Sequence, residues 1–368
     1  MRDLLEIRAW RSIGRRRIRQ KIFIGGCFMA VLLAFRHFSG GPESDSNSSQ
    51  NDKKSSSKPE PEVVNSKLDL RNISAEDFAK NSIYLLETSG RQFLSPKQLC
   101  CVESAARYNP KKQIVVLSTA DALLYPTLAT SIARNHSNII FRRVDVAEAF
   151  RNSPLKSMDI NSTLKQSMFV TEHTSDLLRL VLLYEHGGTY MDFDMIVLKE
   201  LPKVANGVAT ADDGKYLANG FLIFEKGHPV MLDCLTNIAK SFNKNWFNGN
   251  GPDRITEAMQ RWCNTSTLQP GMNCSNVYLF PVDNFTHLNW GIAMTAFDED
   301  PAISDPLVAN LESKAFVFHY YNDLTRVVDA SITGNSAIAR MARKYCPLVT
   351  SYSRDWLWGF HDPGKGFQ

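Results

Sequence analysis

The sequence predicts an α/β fold built on a mostly parallel sheet. From Ile83 onward, short apolar runs such as "SIYLLETS" and "QIVVLSTA" alternate with stretches whose apolar residues recur at helical spacing. Strands that alternate with helices are joined by crossover connections, which place neighbouring strands parallel. At 368 residues, the chain has room for one large domain or two ordinary ones, and it shows no internal sequence repeat.

The first 38 residues predict a membrane anchor. Residues 1–21 carry eight Arg or Lys and two acidic residues, which gives them a local charge of +6. This composition predicts a cytoplasmic tail. The uncharged run 22–35 follows, and its extension through Phe38 gives a predicted transmembrane signal anchor at 22–38. A cleaved signal peptide is the alternative, but the positive segment is unusually long and no small-x-small site follows the run cleanly. Because the positive flank comes first, we expect a single-pass type II membrane protein.

The rest of the chain is slightly acidic and begins with a polar segment. Its net charge is −2, because the whole chain carries +4 and the tail supplies +6. This balance argues against nucleic-acid binding. Residues 39–61 are almost free of large apolar side chains and cannot bury enough surface to fold. We therefore expect a disordered lumenal stem over 39–80.

Sequons and cysteines both predict a lumenal body. Seven N-x-S/T sequons all follow the anchor, at Asn47, Asn72, Asn135, Asn161, Asn264, Asn273 and Asn284. Six cysteines also follow it, an even number whose spacings fit no zinc module and therefore indicate disulfides formed in an oxidising compartment. Cys263 and Cys274 are the pair that we expect to be bonded, and the remaining connectivity stays open.

Two aspartates one residue apart interrupt an otherwise apolar strand in "HGGTYMDFDMIVLKEL". On a strand, Tyr190, Asp192 and Asp194 would share one face. Two carboxylates this close repel unless a cation, a proton or water lies between them, so the pattern indicates a divalent metal with oxygen ligands. A chance match is the alternative, since a second such triplet at 298–300 lies in a polar stretch typical of a loop. We expect the two aspartates near the carboxyl ends of the strands.

The predicted helix before this strand carries a charged pair. It runs from about Glu172 to His186, and it is apolar nearly all round, which indicates burial. Asp176 and Arg179 lie three residues apart on one of its faces. They form either an intrahelical ion pair worth roughly 0.2–0.5 kcal/mol or a charged pair presented to a polar ligand, since isolated charges do not survive in a core.

The whole run is more specific than its parts. "SDLLRLVLLYEHGGTYMDFD" resembles the S-D-x-x-R-x-x-x-L-x-x-x-G-G-x-Y-x-D-x-D signature of nucleotide-sugar glycosyltransferases with the GT-A fold, which is Rossmann-like. More narrowly, the chain resembles the lactosylceramide 4-alpha-galactosyltransferase and alpha-1,4-N-acetylglucosaminyltransferase family. The likeness covers most of 81–350, through "LLETSGR", "CCVESAAR", "LANGFLIFE", "NGPDRIT", "RWC" and "FHYYN". It implies a donor-binding half over 81–225 and an acceptor-side half over 226–368.

The resemblance also implies a role for each matching residue. Asp194 would hold the metal, usually Mn²⁺, and Asp192 would contact both the metal and the ribose of a UDP-sugar donor. Asp176 and Arg179 would hold the donor sugar and its phosphate, with Tyr190 also in the donor site.

Further matches lie later in the chain. Asn219 and Gly220 resemble the edge of the donor pocket, with an ordinary turn as the alternative. His319 matches a family histidine that supplies another metal or phosphate contact, with a structural histidine as the alternative. The family more often has Trp at the position of Tyr321 and Gln at that of Asn250, which leaves acceptor and sugar preference open.

The implied activity is retaining transfer from UDP-galactose or UDP-N-acetylgalactosamine, in alpha-1,4 linkage, onto a beta-galactoside-type glycolipid at the Golgi membrane. The alternatives are alpha-1,4-N-acetylglucosamine transfer to O-linked glycans and a catalytically silent binding protein, which would normally have lost Asp192 and Asp194. Retention requires a carboxylate nucleophile or a same-face attack. Asp212, Asp213 and Asp253 are candidate nucleophiles, and each is equally an ordinary loop or helix-start acid.

Overall fold

A computed structural model of the chain describes residues 67–353 and 356–357, except 125, 152, 212–215 and 327. The predicted cytoplasmic tail, the predicted anchor at 22–38 and the first part of the predicted stem lie outside these residues. Every helix in the described part is too short or too polar to cross a bilayer.

The described strands assemble around one large sheet. They are β1 Lys67–Asp69, β2 Ile83–Glu87, β3 Ile114–Ser118, β4 Ala122–Leu124, β5 Ile139–Arg143, β6 Gly188–Met191, β7 Met195–Val197, β8 Asn206–Thr210, β9 Leu217–Phe224, β10 Asn273–Cys274, β11 Val277–Phe280, β12 Val317–His319, β13 Ala330–Ser331 and β14 Trp356–Leu357. Eight of these strands form a mixed sheet in the order β10-β11-β8-β9-β6-β2-β3-β5. Its β2/β3, β2/β6, β3/β5 and β8/β11 pairs are parallel. The predicted α/β class with a mainly parallel sheet is confirmed, although β9 pairs antiparallel with both its neighbours.

Helices connect most of these strands. They are α1 Pro96–Tyr108, α2 Thr127–Asn135, α3 Val146–Arg151, α4 Ile160–Lys165, α5 Val170–His186, α6 Pro229–Ser241, α7 Pro252–Cys263, α8 Val282–Phe285, α9 Pro301–Lys314, α10 Asn322–Thr325, α11 Ala337–Tyr345 and α12 Pro347–Tyr352, with 3₁₀ turns at Ala75–Asp77 and Trp290–Phe297. The pair Ser95-Pro96 predicts a helix start in the sequence. The structure confirms it with a capping box, in which Ser95 Oγ accepts from Gln98 N at 3.2 Å and Gln98 Oε1 accepts from Ser95 N at 3.0 Å.

The sheet has an apolar core on each face. Alternate residues of β2 separate between the two cores, with Ile83 and Leu85 on one side and Tyr84 and Leu86 on the other. Helix α1 packs in the first core and α5 in the second. The result is three layers, which is why the apolar residues of β2 run without alternation from Ile83 to Leu86.

Residues 67–80, which the sequence assigns to the stem, pack on the folded domain instead. β1 pairs antiparallel with β4, and Leu70 is buried. The buried Asp77 carboxylate accepts hydrogen bonds from Arg142 Nε at 2.9 Å and from Arg71 Nη2 at 2.6 Å. The folded part therefore begins at or before Lys67, and the predicted boundary at 81 is too late. The pairing with β4 and the contact of Asp77 with Arg142 join residues distant in sequence, so no local sequence pattern predicts them.

Two disulfides link described cysteines. Cys263–Cys274, the predicted pair, joins the end of α7 to β10. The other disulfide, Cys100–Cys346, joins α1 to the residue after α11. Cys101 and Cys234 are buried free thiols, so four of the six cysteines that follow the predicted anchor form disulfides. Both thiols serve as small apolar side chains of the two cores.

Candidate functional site

The two aspartates of the D-x-D run lie on a turn and not on a strand. β6 ends at Met191 and β7 begins at Met195, so Asp192 and Asp194 occupy the connection between them. The expected alternation on one strand face is therefore wrong, because the chain leaves the main sheet here to pair β7 with β12 in a separate two-stranded sheet. Both aspartates nevertheless follow the carboxyl end of β6, as predicted.

Asp194 contacts a histidine supplied by β12. The antiparallel pairing of β12 with β7 places His319 opposite Met195. His319 Nε2 lies 3.1 Å from Asp194 Oδ1, and the backbone N–H of Asn322 donates to Asp194 Oδ2 at 2.7 Å. The ring of Tyr321 stacks on the imidazole with the two ring centroids 4.0 Å apart. The stacking and the ion pair together fix the orientation of the imidazole.

Charge pairing keeps the Asp194 carboxylate ionised. Burial raises the pKa of this carboxyl, but His319 and the Asn322 N–H outweigh burial and leave the pKa below its usual range. For His319 the opposing effects run the other way: burial lowers the pKa of the imidazole, and Asp194 outweighs it and leaves the pKa raised. An ionised carboxylate is the form that binds a cation.

Two buried atoms of this pair lack a hydrogen-bond partner among the described residues. They are Asp194 Oδ1 and His319 Nδ1. Asp194 Oδ1 lies within ion-pair distance of His319, but the two groups are not aligned for a hydrogen bond. One potential ligand atom from each of Asp192, Asp194 and His319 lies within 4.8 Å of the other two. A buried oxygen without a donor is costly unless a ligand satisfies it. Two carboxylates and an imidazole therefore fit a divalent cation at this position.

Asp192 is oriented by two neighbours that share one of its oxygens. Tyr190 Oη donates to Asp192 Oδ1 at 2.6 Å, and Arg179 Nη1 lies 3.2 Å from the same oxygen. The guanidinium also lies over the Tyr190 ring, with Cζ 4.3 Å from the ring centroid. Gly220 is required for this arrangement, because a Cβ atom there would lie 2.4 Å from Asp192 Oδ2.

Asp176 and Arg179 belong to a buried polar network that reaches from α5 to β9. Arg179 Nη2 lies 3.3 Å from Asp176 Oδ1, and Arg179 Nη1 donates to the Asn219 carbonyl at 2.9 Å. Asn219 Nδ2 donates to Asp176 Oδ1 at 2.6 Å. Burial raises the pKa of Asp176 more than Arg179 lowers it. The pair is thus intrahelical, and through Arg179 it also contacts Asp192.

Gly251, which sequence analysis did not assign to the site, completes this network. A Cβ atom at Gly251 would lie 2.1 Å from Asn219 Nδ2 and 2.6 Å from Asp176 Oδ1. Only a residue without a side chain lets the start of α7 approach the network this closely. The one local signal was a glycine directly before Pro252, the first residue of a helix.

Other acids singled out by the sequence lie elsewhere. Asp253, a candidate nucleophile, stands at the start of α7, where its Oδ2 accepts from Trp246 Nε1 at 3.0 Å. The other two candidates, Asp212 and Asp213, are outside the described residues. The second D-x-D triplet lies in a loop, as expected, and Asp300 caps α9 by accepting from Ala302 N at 2.9 Å.

The described sequons differ in exposure. Asn47 lies outside the described residues. The exposed asparagines are Asn72, Asn135, Asn161, Asn264 and Asn273, and Asn284 is half-buried. Asn284 Nδ2 donates to the Lys314 carbonyl at 3.1 Å.

Two stretches of the described domain match known protein families. Residues 95–210 match the family described as "Glycosyltransferase sugar-binding region containing DXD motif", and residues 223–353 match "Alpha 1,4-glycosyltransferase conserved region". Lactosylceramide 4-alpha-galactosyltransferase of Rattus norvegicus is 30% identical over 277 residues, which cover 74% of this chain and 75% of that protein. Alpha-1,4-N-acetylglucosaminyltransferase of Homo sapiens is 25% identical over 284 residues, covering 73% and 79%.

A solved structure of the galactosyltransferase LgtC with donor and acceptor sugar analogs is 16% identical, covers 74% of this chain and 96% of that one, and has a TM-score of 0.34. The sequence matches span both halves of the described domain and include the D-x-D run. The chain therefore belongs to the alpha-1,4-glycosyltransferase family, whose members are hexosyltransferases.

Proposed function

We propose that this enzyme transfers galactose or N-acetylgalactosamine from a UDP donor, in alpha-1,4 linkage and with retention, onto a beta-galactoside-type glycolipid. The observation that carries the proposal is the cluster of Asp192, Asp194 and His319. Within it, the buried Asp194 Oδ1 accepts no hydrogen bond from the described residues. The 30% identity to the rat protein named lactosylceramide 4-alpha-galactosyltransferase supports this choice of donor and acceptor.

The proposed cofactor is Mn²⁺, held by Asp194, Asp192 and His319. When bound, it would neutralise the charge that develops on the diphosphate leaving group. The chain prepares for this by keeping Asp194 ionised through His319 and Asn322. Tyr190 contributes by holding one oxygen of Asp192 at 2.6 Å.

The residues of α5 would bind the donor beside this centre. Arg179 is buried, keeps its charge and lies 3.2 Å from Asp192, so it would lie beside the donor phosphates. Asp176 Oδ1 is engaged by Asn219 and Arg179, which leaves the second carboxylate oxygen to accept a hydroxyl of the donor sugar. Retention is proposed from the family resemblance, through either a carboxylate nucleophile or a same-face attack.

The proposed setting is the Golgi lumen, with 22–38 as the anchor. Two disulfides in the described domain support an oxidising compartment. A second candidate activity is N-acetylglucosamine transfer to O-linked glycans, which the 25% identity to the human enzyme of that name favours.

A product analysis tests the proposal. The full chain in detergent would be offered UDP-galactose, UDP-N-acetylgalactosamine and UDP-N-acetylglucosamine, each with lactosyl-type and N-acetylgalactosaminyl-terminated glycolipids and with an O-glycan acceptor. We expect one of the first two donors to yield an alpha-1,4 product on a glycolipid, identified by mass and linkage analysis. A product formed only from UDP-N-acetylglucosamine on the O-glycan would replace the first candidate with the second.

A matched pair of variants tests the metal site in the same assay. Asp194→Asn should abolish Mn²⁺-dependent transfer, because it removes the charged ligand while keeping an acceptor for Asn322 N–H. Asp300→Asn, in the exposed second triplet, should retain full activity because asparagine caps a helix as well as aspartate does. Full activity of Asp194→Asn would refute the metal role.

A further inference from the structure

A polar groove runs along the exposed side of α7 and is not used by the donor and metal residues. We call it the α7 groove. Helix α7 supplies Asp253, Thr256, Glu257 and Gln260, the loop 266–268 forms another wall, and Tyr216 stands beside them. The groove has a volume of about 680 Å³. Small-molecule sites in proteins occupy roughly 300–1,000 Å³.

One end of the α7 groove adjoins the buried polar network of Asp176, Arg179 and Asn219, which we propose binds the donor. Gly251, directly before α7, approaches Asp176 and Asn219 so closely that no side chain fits between them. Asp253, two residues later, already lines the groove. Leu217 N donates to Thr256 Oγ1 at 3.0 Å, which ties the start of β9, just before Asn219, to α7. A ligand in the groove would therefore have one end beside the donor site.

An exposed aromatic ring stands at this same end. Trp246 is 54% exposed, yet its position is fixed, because its Nε1 donates to Asp253 Oδ2 at 3.0 Å and its backbone N–H donates to Asn243 Oδ1 at 3.1 Å. His173 Nε2 also lies 3.2 Å from its carbonyl oxygen. The indole is thus a rigid apolar surface that remains in contact with solvent. Such a surface binds with little loss of conformational entropy.

The chemistry of the groove suits a saccharide better than a lipid chain. Carboxylate, amide and hydroxyl groups of α7 can accept and donate hydrogen bonds to sugar hydroxyls. The C–H face of a pyranose ring packs against the negative face of an aromatic ring. An acyl chain would displace water from Asp253, Glu257 and Gln260 and offer these side chains no hydrogen bond in return.

We propose that the α7 groove binds the acceptor saccharide, with Trp246 stacking on the sugar at the end nearest the donor and the polar side chains of α7 binding its hydroxyls. The proposal rests on the proposed function, because it assigns a place to the acceptor of that reaction. Trp246 would be a specificity-determining residue for the acceptor and would have no part in donor binding.

Variant kinetics test the groove. In the full chain, Trp246→Ala should raise the KM for the glycolipid or a soluble beta-galactoside acceptor at least tenfold, since it removes the stacking surface. The KM for the UDP donor and the rate of donor hydrolysis without acceptor should stay within about twofold of the wild type. Trp246→Phe keeps an aromatic face and should restore most of the acceptor affinity. Trp290→Ala, which removes an equally exposed indole on another element, is the matched control and should change neither KM.

A direct binding measurement separates failure of the groove from failure of the proposed function. Saturation-transfer NMR with a methyl beta-lactoside probe should show binding to the wild type and to Trp290→Ala, and no binding to Trp246→Ala. Binding with this pattern but no transfer from any UDP-sugar would refute the proposed function and retain the groove as a saccharide site. An unchanged acceptor KM and unchanged probe binding in Trp246→Ala would overturn the groove proposal. An equal loss of donor hydrolysis in Trp246→Ala would assign the groove to the donor and would also overturn it.

Discussion

Asp194 Oδ1 lies 3.1 Å from His319 Nε2, although the two residues belong to different halves of the chain. The contact exists because β12 pairs antiparallel with β7 outside the main sheet and places His319 opposite Met195. The same connection brings Asn322 N–H to the other oxygen of Asp194. A two-stranded sheet of three-residue strands thus assembles the side of the site that we propose binds the metal.

Loss of His319 should weaken metal binding. His319→Ala removes one potential ligand and the group that keeps Asp194 ionised, so the Mn²⁺ concentration for half-maximal transfer should rise roughly 10- to 100-fold. Metal titration of the activity and calorimetric titration of Mn²⁺ into the full chain would measure the change. His287→Ala, whose imidazole pairs with Asp283 outside the cluster, should leave the requirement unchanged. An unaltered Mn²⁺ requirement in His319→Ala would exclude this histidine from the metal site.

An added methyl group at Gly220 should disturb Asp192. The Cβ atom of Gly220→Ala would lie 2.4 Å from Asp192 Oδ2, so the carboxylate must move. We expect kcat/KM for the UDP donor to fall at least tenfold, while the midpoint of thermal unfolding changes little. Gly291→Ala is the control, since its Cβ atom would meet nothing closer than Asn289 Oδ1 at 3.2 Å. Equal donor kinetics in the two variants would show that the position of Asp192 does not matter for the donor.

The two disulfides should differ in their contribution to stability. Cys100–Cys346 closes a loop across 246 positions, whereas Cys263–Cys274 spans 11. In the chain-entropy description, the longer loop constrains the unfolded chain more, and removal of a native disulfide costs on the order of 2–5 kcal/mol. Replacing both partners by serine should lower the urea midpoint more for Cys100/Cys346 than for Cys263/Cys274. The reverse order would show that Cys100–Cys346 does not stabilise the fold mainly by constraining the unfolded chain.

Lys97 should give the stability a dependence on alkaline pH. Its ammonium is buried and donates to the carbonyls of Thr325 at 2.8 Å and Val328 at 2.9 Å, and burial lowers its pKa from 10.5 to about 8. Between these two pH values, the unfolded chain binds a proton that the folded chain has lost. The contribution of Lys97 to the free energy of unfolding therefore rises with pH across this window, by at most about 1.4 kcal/mol per pH unit.

Urea unfolding from pH 7.5 to 10.5 measures this slope. The slope of the free energy of unfolding against pH should be less positive in Lys97→Met than in the wild type, even though the variant loses stability at every pH. Lys240→Met, at an exposed position on α6, should keep the wild-type slope. Identical slopes in Lys97→Met and the wild type would show that Lys97 keeps its ordinary pKa in the folded chain.

The sequence by itself determined the features that lie within one element or between adjacent ones. Apolar runs separated by helical patterns predicted the α/β class, and the start of α1 follows from the Ser95-Pro96 signal. The D-x-D run predicted acidic groups near the carboxyl ends of the strands, and the short spacing of Cys263 and Cys274 predicted their disulfide. Such features depend on contacts between residues near in sequence, which spacing and side-chain type express directly.

Only the tertiary structure decided which distant residues meet. The pairing of β7 with β12 takes Asp192 and Asp194 off the strand and gives Asp194 its histidine. Close packing of α7 on the α5 network makes Gly251 necessary, and it aligns the polar side chains of α7 into a groove. These contacts depend on the register of strands and the approach of helices, which are set by how the whole core packs. No short stretch of sequence carries that information, because neither partner of a long-range contact has a local sequence pattern that identifies the other.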